Sequence, residues 1–320
     1  MSRPRALFAA ALFALPACSS PDGASLDSAP LEFESVQSEL LGAPIDTSHK
    51  FSVGVCGGGL TDTGHCAASR CTGTLVAPNV VLTAQHCLYE IAYGDSWCGS
   101  TFTAARLSPE PVQITTSESG AVGTPKWYAV QEIVVPGTAL CRDDLALLVL
   151  QERVPRSEAA PVGIALDRDL VARPPAEVAI VGRGGVAEAL DLETWESTFD
   201  SGDFRRRVLE HVPFVCASGE NGPGCDVVDF SSPPSNVFTA PSSYFVIGAA
   251  VAGGDSGSAV FEQRHFGHHP RVLGVVSAGT WDAVGRPNFG LVTRVDIHAD
   301  FLRRTLSRAK QSRGRCNGTR

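Results

Sequence analysis

The chain has 320 residues, 43% of them apolar, which suffices for substantial cores and excludes a disordered polymer. Its formal net charge of -8, with no Lys/Arg block ahead of the C-terminal tail, argues against a nucleic-acid backbone as partner. Ten cysteines without a C-x-x-C pair or a Cys/His ligand run point to an oxidising compartment rather than to a metal-binding cytosolic protein.

In chain order, Arg3 and Arg5 precede an apolar run at 6–17 that is too short to span a bilayer and has the shape of a secretory signal. Leu15-Pro16-Ala17-Cys18 resembles a bacterial lipobox, which implies acylation of Cys18 and an outer-membrane lipid anchor; ordinary signal cleavage is the alternative. No later stretch offers about 20 continuous apolar residues. Residues 19–39 are Ser, Pro, Asp and Glu with scattered Leu, a linker or pro-segment, so folding is expected to begin near Leu40.

Thirty-two glycines and twenty-one prolines among short Val-rich runs favour an all-β chain. Residues 51–55 alternate like a first strand, and 74–76 with 80–82 form a hairpin around Ala77-Pro78-Asn79 that ends in Thr83-Ala84-Gln85-His86-Cys87. A Gly/Ser/Thr-rich insertion runs to about Pro125, and 127–135 is again strand, closed by Pro136-Gly137. Cys141-Arg142-Asp143-Asp144 then opens the apolar run 145–150. A carboxylate at the mouth of such a strand is costly to dehydrate unless it is hydrogen-bonded. Residues 153–175 read as a connection to a second unit, which opens at 178–184 and continues through 245–247 and a hairpin at 259–276. A final helix over 295–310 is expected to place Ile297, Phe301, Leu302 and Leu306 on one face, followed by a basic tail.

The chemistry centres on Gly253-Gly254-Asp255-Ser256-Gly257-Ser258. A serine hydroxyl is a poor nucleophile near neutral pH and needs a base in hydrogen-bond reach and donors aimed at the developing oxyanion. Glycines on both sides let the backbone turn its N–H groups to one spot. Taken alone, the segment reads equally as a hairpin turn without chemistry. With His86 in T-A-Q-H-C and Asp144 in D-L-A-L-L, however, it resembles the three signature blocks of the chymotrypsin-fold, trypsin-like serine proteases, in that family's order of His, Asp, Ser.

The resemblance covers roughly residues 40–304 and implies two antiparallel β-barrels with a C-terminal helix. The N-terminal barrel would span 40–152 with His86 and Asp144, and the C-terminal barrel 153–304 with Ser256, followed by the helix end and tail at 305–320. It implies Ser256 as nucleophile, His86 as general base and acid, and Asp144 as its orienting carboxylate. The N–H groups of Gly254 and Ser256 would form the oxyanion hole, and Ser277 would hydrogen-bond Asp144. Asp143 is expected to be a solvated loop charge. Counting back six positions from Ser256 puts Ala250 at the floor of the substrate pocket, with Gly279 and Gly290 as open walls, and so a preference for an uncharged side chain before the scissile bond. The chain departs from the family pattern at Ala252, Ser258-Ala259 and Ala278.

By the same resemblance, cleavage after Glu39 would free Leu40, whose ammonium would pair with Asp255. A disulfide is implied between Cys71 and Cys87, with Cys56–Cys66, Cys216–Cys225 and Cys98–Cys141 as further pairs and Cys316 left over. His265, His268 and His269 fall in a hairpin turn and read as a solvated loop rather than a metal site, and Gly182-Arg183-Gly184-Gly185 reads as a strand end rather than a phosphate loop. No metal or cofactor is required by this chemistry. The leading reading is a monomeric, secreted or surface-anchored serine endopeptidase acting on proteins or peptides. A catalytically silent binding module of the same fold is the alternative, and an esterase of another fold conflicts with the triad order.

Overall fold

The computed structural model of the protein describes residues 40–68, 70–103, 108–200, 202–219, 224–231 and 234–311. The signal, lipobox and linker expectations, Cys18, Cys316 and the end of the basic tail lie outside these residues.

In the first half, β1 (Ser52–Cys56), β2 (Arg70–Ala77) and β3 (Val80–Thr83) pair antiparallel in sequence. A small pair, β4 (Ile91–Ala92) with β5 (Thr101–Phe102), stands apart. Then β6 (Gln113–Thr115), β7 (Trp127–Val134) and β8 (Ala146–Leu150) close a barrel in the order β1-β2-β3-β8-β7-β6. The unbroken apolar runs of β3 and β8 are buried along their whole length. The region read as an insertion therefore contains a barrel strand. Three residues are too few for an alternation to stand out, yet β6 joins β1 to β7. The small helix α1 (Leu140–Asp143) leads into β8.

The second half opens with β9 (Gly163–Ile164) and β10 (Glu177–Gly182), followed by a separate hairpin of β11 (Ala187–Leu190) and β12 (Ser197–Asp200). Next come β13 (Arg207–Ala217), a second small hairpin of β14 (Cys225–Val228) and β15 (Val237–Ala240), and β16 (Tyr244–Ile247). The last strands are β17 (Ala259–Glu262), β18 (Arg271–Trp281) and β19 (Pro287–Arg294), with α2 (Gln263–Phe266) between the first two. The strands β17-β10-β13-β16-β19-β18 close into a second barrel through β17 and β18, and β9 adds parallel to β18. Sequence patterning missed β13 because Glu210, His211 and Pro213 interrupt its alternation. The register shifts opposite Val178 and Ile180, and His211 takes a left-handed φ of 59°, the signature of a bulge.

One apolar cluster runs through both barrels, joining Leu75, Leu82 and Leu148 to Val181, Phe261 and Val275. Arg183, just beyond β10, is wholly buried and stitches the halves together: Nη2 donates to Ser52 O (3.2 Å) and Ser117 O (2.8 Å), and Nη1 to Glu118 O (3.2 Å). Burial, together with the neighbouring Arg206 guanidinium, lowers its pKa to about 9. Arg206 itself is paired with Asp46 (3.1 Å). The final helix, α3 (Ala299–Gln311), starts later than expected. Its buried face is Leu302, Thr305 and Ala309 with Phe301 and Leu306 half-buried, whereas Ile297 precedes the helix and is 44% exposed. That face joins the shared cluster, and Arg308 reaches Glu132 of β7 at 2.7 Å. No helix among the described residues is long and apolar enough to cross a membrane.

Candidate active site

All four cysteine pairs expected from the sequence are formed: Cys56–Cys66, Cys71–Cys87, Cys98–Cys141 and Cys216–Cys225. Two of them fix the site. Cys87 closes the short 3-10 turn Gln85–Cys87 at the exit of β3 and ties it to β2, which sets where His86 leaves the barrel. Cys141 lies within α1 and holds that turn to Cys98, immediately before Asp144.

Asp144 has no exposed surface, and both carboxylate oxygens are engaged. Oδ1 accepts the His86 backbone N–H (2.9 Å); Oδ2 faces His86 Nδ1 (2.8 Å) and accepts from Ser277 Oγ (2.5 Å). Burial alone would raise this carboxyl, but the imidazole and these donors outweigh it and hold Asp144 below its ordinary value. Because the carboxylate is ionised, Nδ1 must carry the proton, which leaves Nε2 as a free acceptor. For His86 burial acts downward and the Asp144 charge upward; the charge prevails and the imidazole pKa is raised. Tyr244 OH lies 3.1 Å from Ser277 Oγ, and since Ser277 donates to Asp144, the phenol donates to Ser277. Burial pushes the Tyr244 phenol up, so it keeps that proton.

Asp143 is not the solvated charge expected. It is buried, and its Oδ2 accepts the Ala139 N–H (3.1 Å) at the start of α1. His298, its pKa lowered chiefly by burial, donates Nε2–H to Arg142 O (2.8 Å) and braces the same turn from before α3. The pair Asp143-Asp144 thus divides the work: one side chain caps the turn and the other holds the imidazole.

Ser256 sits on the turn that precedes β17. Its carbonyl accepts Thr72 N–H of β2 (2.8 Å) and lies 3.8 Å from Cys87 Sγ, which brings the turn beside the residue that follows His86. Gly254 and Gly257 have φ of 93° and 85°, and a Cβ on Gly257 would stand 2.0 Å from Thr72 O, so only glycine fits there. Among the described residues, neither the Gly254 N–H nor the Ser256 N–H finds an acceptor, while the Gly257 and Ser258 N–H groups both do. No hydrogen bond joins Ser256 Oγ to His86 among the described residues; in free enzymes such a bond is commonly long and tightens on substrate.

The residue before the serine, Asp255, is fully buried, with Oδ1 accepting from Gly184 N–H (2.7 Å) and Oδ2 from Ala252 N–H (3.1 Å). Burial raises its pKa to about 7, with the Glu188 charge adding to the rise and Arg207 opposing it. Leu40 is buried beside it. The Leu40 N–H donates to Ala250 O (3.1 Å), and its Cδ2 and Asp255 Oδ1 lie 2.6 and 2.5 Å from the point where a Cβ on Gly182 would stand.

A cleft of about 100 Å³ opens at Ser256, walled by Val251, Ala252, Ala278, Gly279, Trp281 and Glu188 among others. Ala250 and Gly290 are not on its surface. Ala250 is 3% exposed, and Gly290 faces Ile247 and Val251. Glu188 was invisible in the sequence, because it rides on a hairpin whose Ala-Glu-Ala-Leu strand has no apolar face to announce it.

Against models of known protein families, the chain matches Trypsin over residues 47–208, just over half its length. It belongs to the trypsin family. The trypsin match includes His86 and Asp144 and ends before Ser256, and it agrees with the pair of six-stranded antiparallel barrels. No curated protein matches this trypsin-family chain. Membership makes it a serine-type peptidase at family level, with peptides or proteins as substrates.

The one group of metal-type ligands among the described residues is Cys71, His86 and Cys87. Its two sulfurs are joined in a disulfide and offer no thiolate, so this is no metal site. His265, on α2, is exposed, as are His268 and His269.

Proposed function

We propose that the protein is a serine endopeptidase working through His86, Asp144 and Ser256. Ser256 Oγ bonds to the scissile carbonyl carbon as His86 Nε2 takes its proton. Collapse of the tetrahedral species breaks the C–N bond, and the same proton passes from Nε2 to the leaving amine. Water then repeats the sequence on the acyl-enzyme. The Gly254 and Ser256 N–H groups receive the oxyanion, and Ser277 steadies Asp144.

The observation that carries this reading is the buried Asp144 carboxylate, bonded at both oxygens to His86 and from behind by Ser277. That arrangement costs desolvation and serves an imidazole whose other nitrogen is left to act as base. A silent binding module would need none of it. Fluorophosphonate labelling tests the proposal: the processed protein labels, and Ser256→Ala does not. A wild-type protein that stays unlabelled while folded sinks it.

Activation is proposed by cleavage after Glu39. The freed Leu40 ammonium would replace the contact to Ala250 O and supply the cation that Asp255 lacks. N-terminal sequencing of active enzyme should read Leu40-Leu41-Gly42; another start rules this out. Residues 1–18 are proposed as the signal and Cys18 as a lipid anchor in an outer membrane, with 19–39 as the segment removed. The cut would then also release a monomeric protease. Mass spectrometry of Cys18 in the uncleaved protein checks the lipid. The expected preference for an uncharged side chain took Ala250 as the pocket floor. With Ala250 off the cleft surface and Glu188 on it, the preference needs a different basis.

A further inference from the structure

The β11–β12 hairpin is fastened at two points, to the Gly253 edge of the Ser256 cleft and to the turn between β18 and β19. Gly185 N–H, just ahead of it, donates to Gly253 O (2.9 Å), and Leu190 N–H at the end of β11 donates to Gly285 O (2.8 Å). Glu188 lies between these anchors, and its side chain is carried into the cleft, where it is the one ionisable group among the lining residues. Oε2 accepts the Gly253 N–H (2.7 Å); Oε1 has no partner among the described residues, and no cation pairs with the carboxylate.

We propose that Glu188 is a specificity-determining residue, and that the cleft beside Ser256 takes a substrate side chain ending in a cation, with arginine fitting better than lysine. This rests on the protease reading above. No other lining residue carries a charge to offset a buried negative one: Thr280 Oγ1 donates to Asn288 Oδ1, Ser256 and Trp281 are neutral, and Val251, Val276 and Ala278 are apolar. A half-buried carboxylate with one N–H donor is destabilised by its surroundings, and its pKa is raised by burial against that single hydrogen bond. A guanidinium brings several donors in a planar fork and removes the penalty for both groups. An uncharged side chain would have to dehydrate Oε1 and leave it unpaired, which a buried acceptor resists. The carboxylate comes from a hairpin edge rather than from the residues six positions before the serine, so Ala250 does not exclude a cationic substrate.

The test compares matched peptide substrates with arginine, lysine or citrulline before the scissile bond, citrulline having arginine's shape without its charge. The expected kcat/KM for arginine exceeds that for citrulline by at least about tenfold. Glu188→Gln, which keeps an acceptor for Gly253 N–H, brings that ratio close to one, and Glu188→Lys inverts it, with citrulline cleaved better than arginine. Fluorophosphonate labelling of each variant reports whether its nucleophile is intact. Labelled wild-type enzyme with an arginine-to-citrulline ratio near one overturns the assignment of Glu188 and leaves the protease reading standing. So does a ratio that Glu188→Gln leaves unchanged. Wild-type enzyme that neither labels nor cleaves overturns both.

Discussion

Asp255 carries a sharp thermodynamic test, because in the uncleaved chain a fully buried carboxylate has two backbone donors and no salt bridge among the described residues. Its pKa rises from an ordinary 3.8 to about 7, mainly through burial, with Glu188 and Arg207 as the charged groups acting on it in opposite directions. Below pH 3.8 the group is protonated whether the chain is folded or not. Between 3.8 and 7 the unfolded chain loses the proton and the folded chain keeps it, so folding stability falls as pH rises. Across about three units at 1.36 kcal/mol each, the loss approaches ~4 kcal/mol by pH 8. Asp255→Asn removes that slope. Its amide nitrogen meets one backbone N–H where an oxygen stood, a mismatch worth about 1–3 kcal/mol at every pH. The variant is thus less stable than its parent near pH 4 and more stable near pH 8, and the two curves cross. Urea unfolding between pH 4 and 8, with disulfides intact and Ser256→Ala in both proteins to stop self-cleavage, reads the difference directly. In protein cut before Leu40 the order at pH 8 reverses, because the ammonium loses its partner in the variant. A difference between the two uncleaved proteins that stays constant from pH 4 to 8 refutes the account of Asp255 as an uncompensated buried charge.

Three further outcomes follow from the site. Asp144→Asn keeps an oxygen for the His86 backbone N–H but offers an NH₂ group where Nδ1–H must be accepted, so the imidazole takes the wrong tautomer and kcat falls about 10⁴-fold; an unchanged kcat removes Asp144 from the mechanism. In the wild type, activity falls with decreasing pH as His86 gains a proton. Since its pKa is raised, the acid limb of kcat/KM lies above the ordinary imidazole value of 6.5; a limb below it contradicts the Asp144 pairing. Replacing Cys71 and Cys87 together by alanine opens a loop with a sequence separation of 16, which should lower stability by about 3 kcal/mol in urea and loosen the turn that carries His86. Unaltered stability and kcat would show that the bond is dispensable to the site.

What was legible in the sequence is what chemistry writes locally. A hydroxyl between glycines, a histidine before a cysteine and an aspartate before an apolar run each need only their immediate neighbours, and their order along the chain pointed to the double barrel. Three of the four cysteine pairs, 9 to 16 positions apart, were within reach for the same reason, whereas Cys98–Cys141 spans 43. Strands with continuous apolar runs, such as β3, β8 and β10, could be read directly, while β6 is too short and β13 too interrupted by a bulge to show a period. The tertiary structure alone decided that Asp143 is buried as the cap of α1, that Arg183 joins the two halves, and that Glu188 rather than Ala250 faces the Ser256 cleft. Whether a charge is dehydrated, and what it meets there, depends on strands from distant parts of the chain arriving at one place. No pattern within any one segment records that encounter.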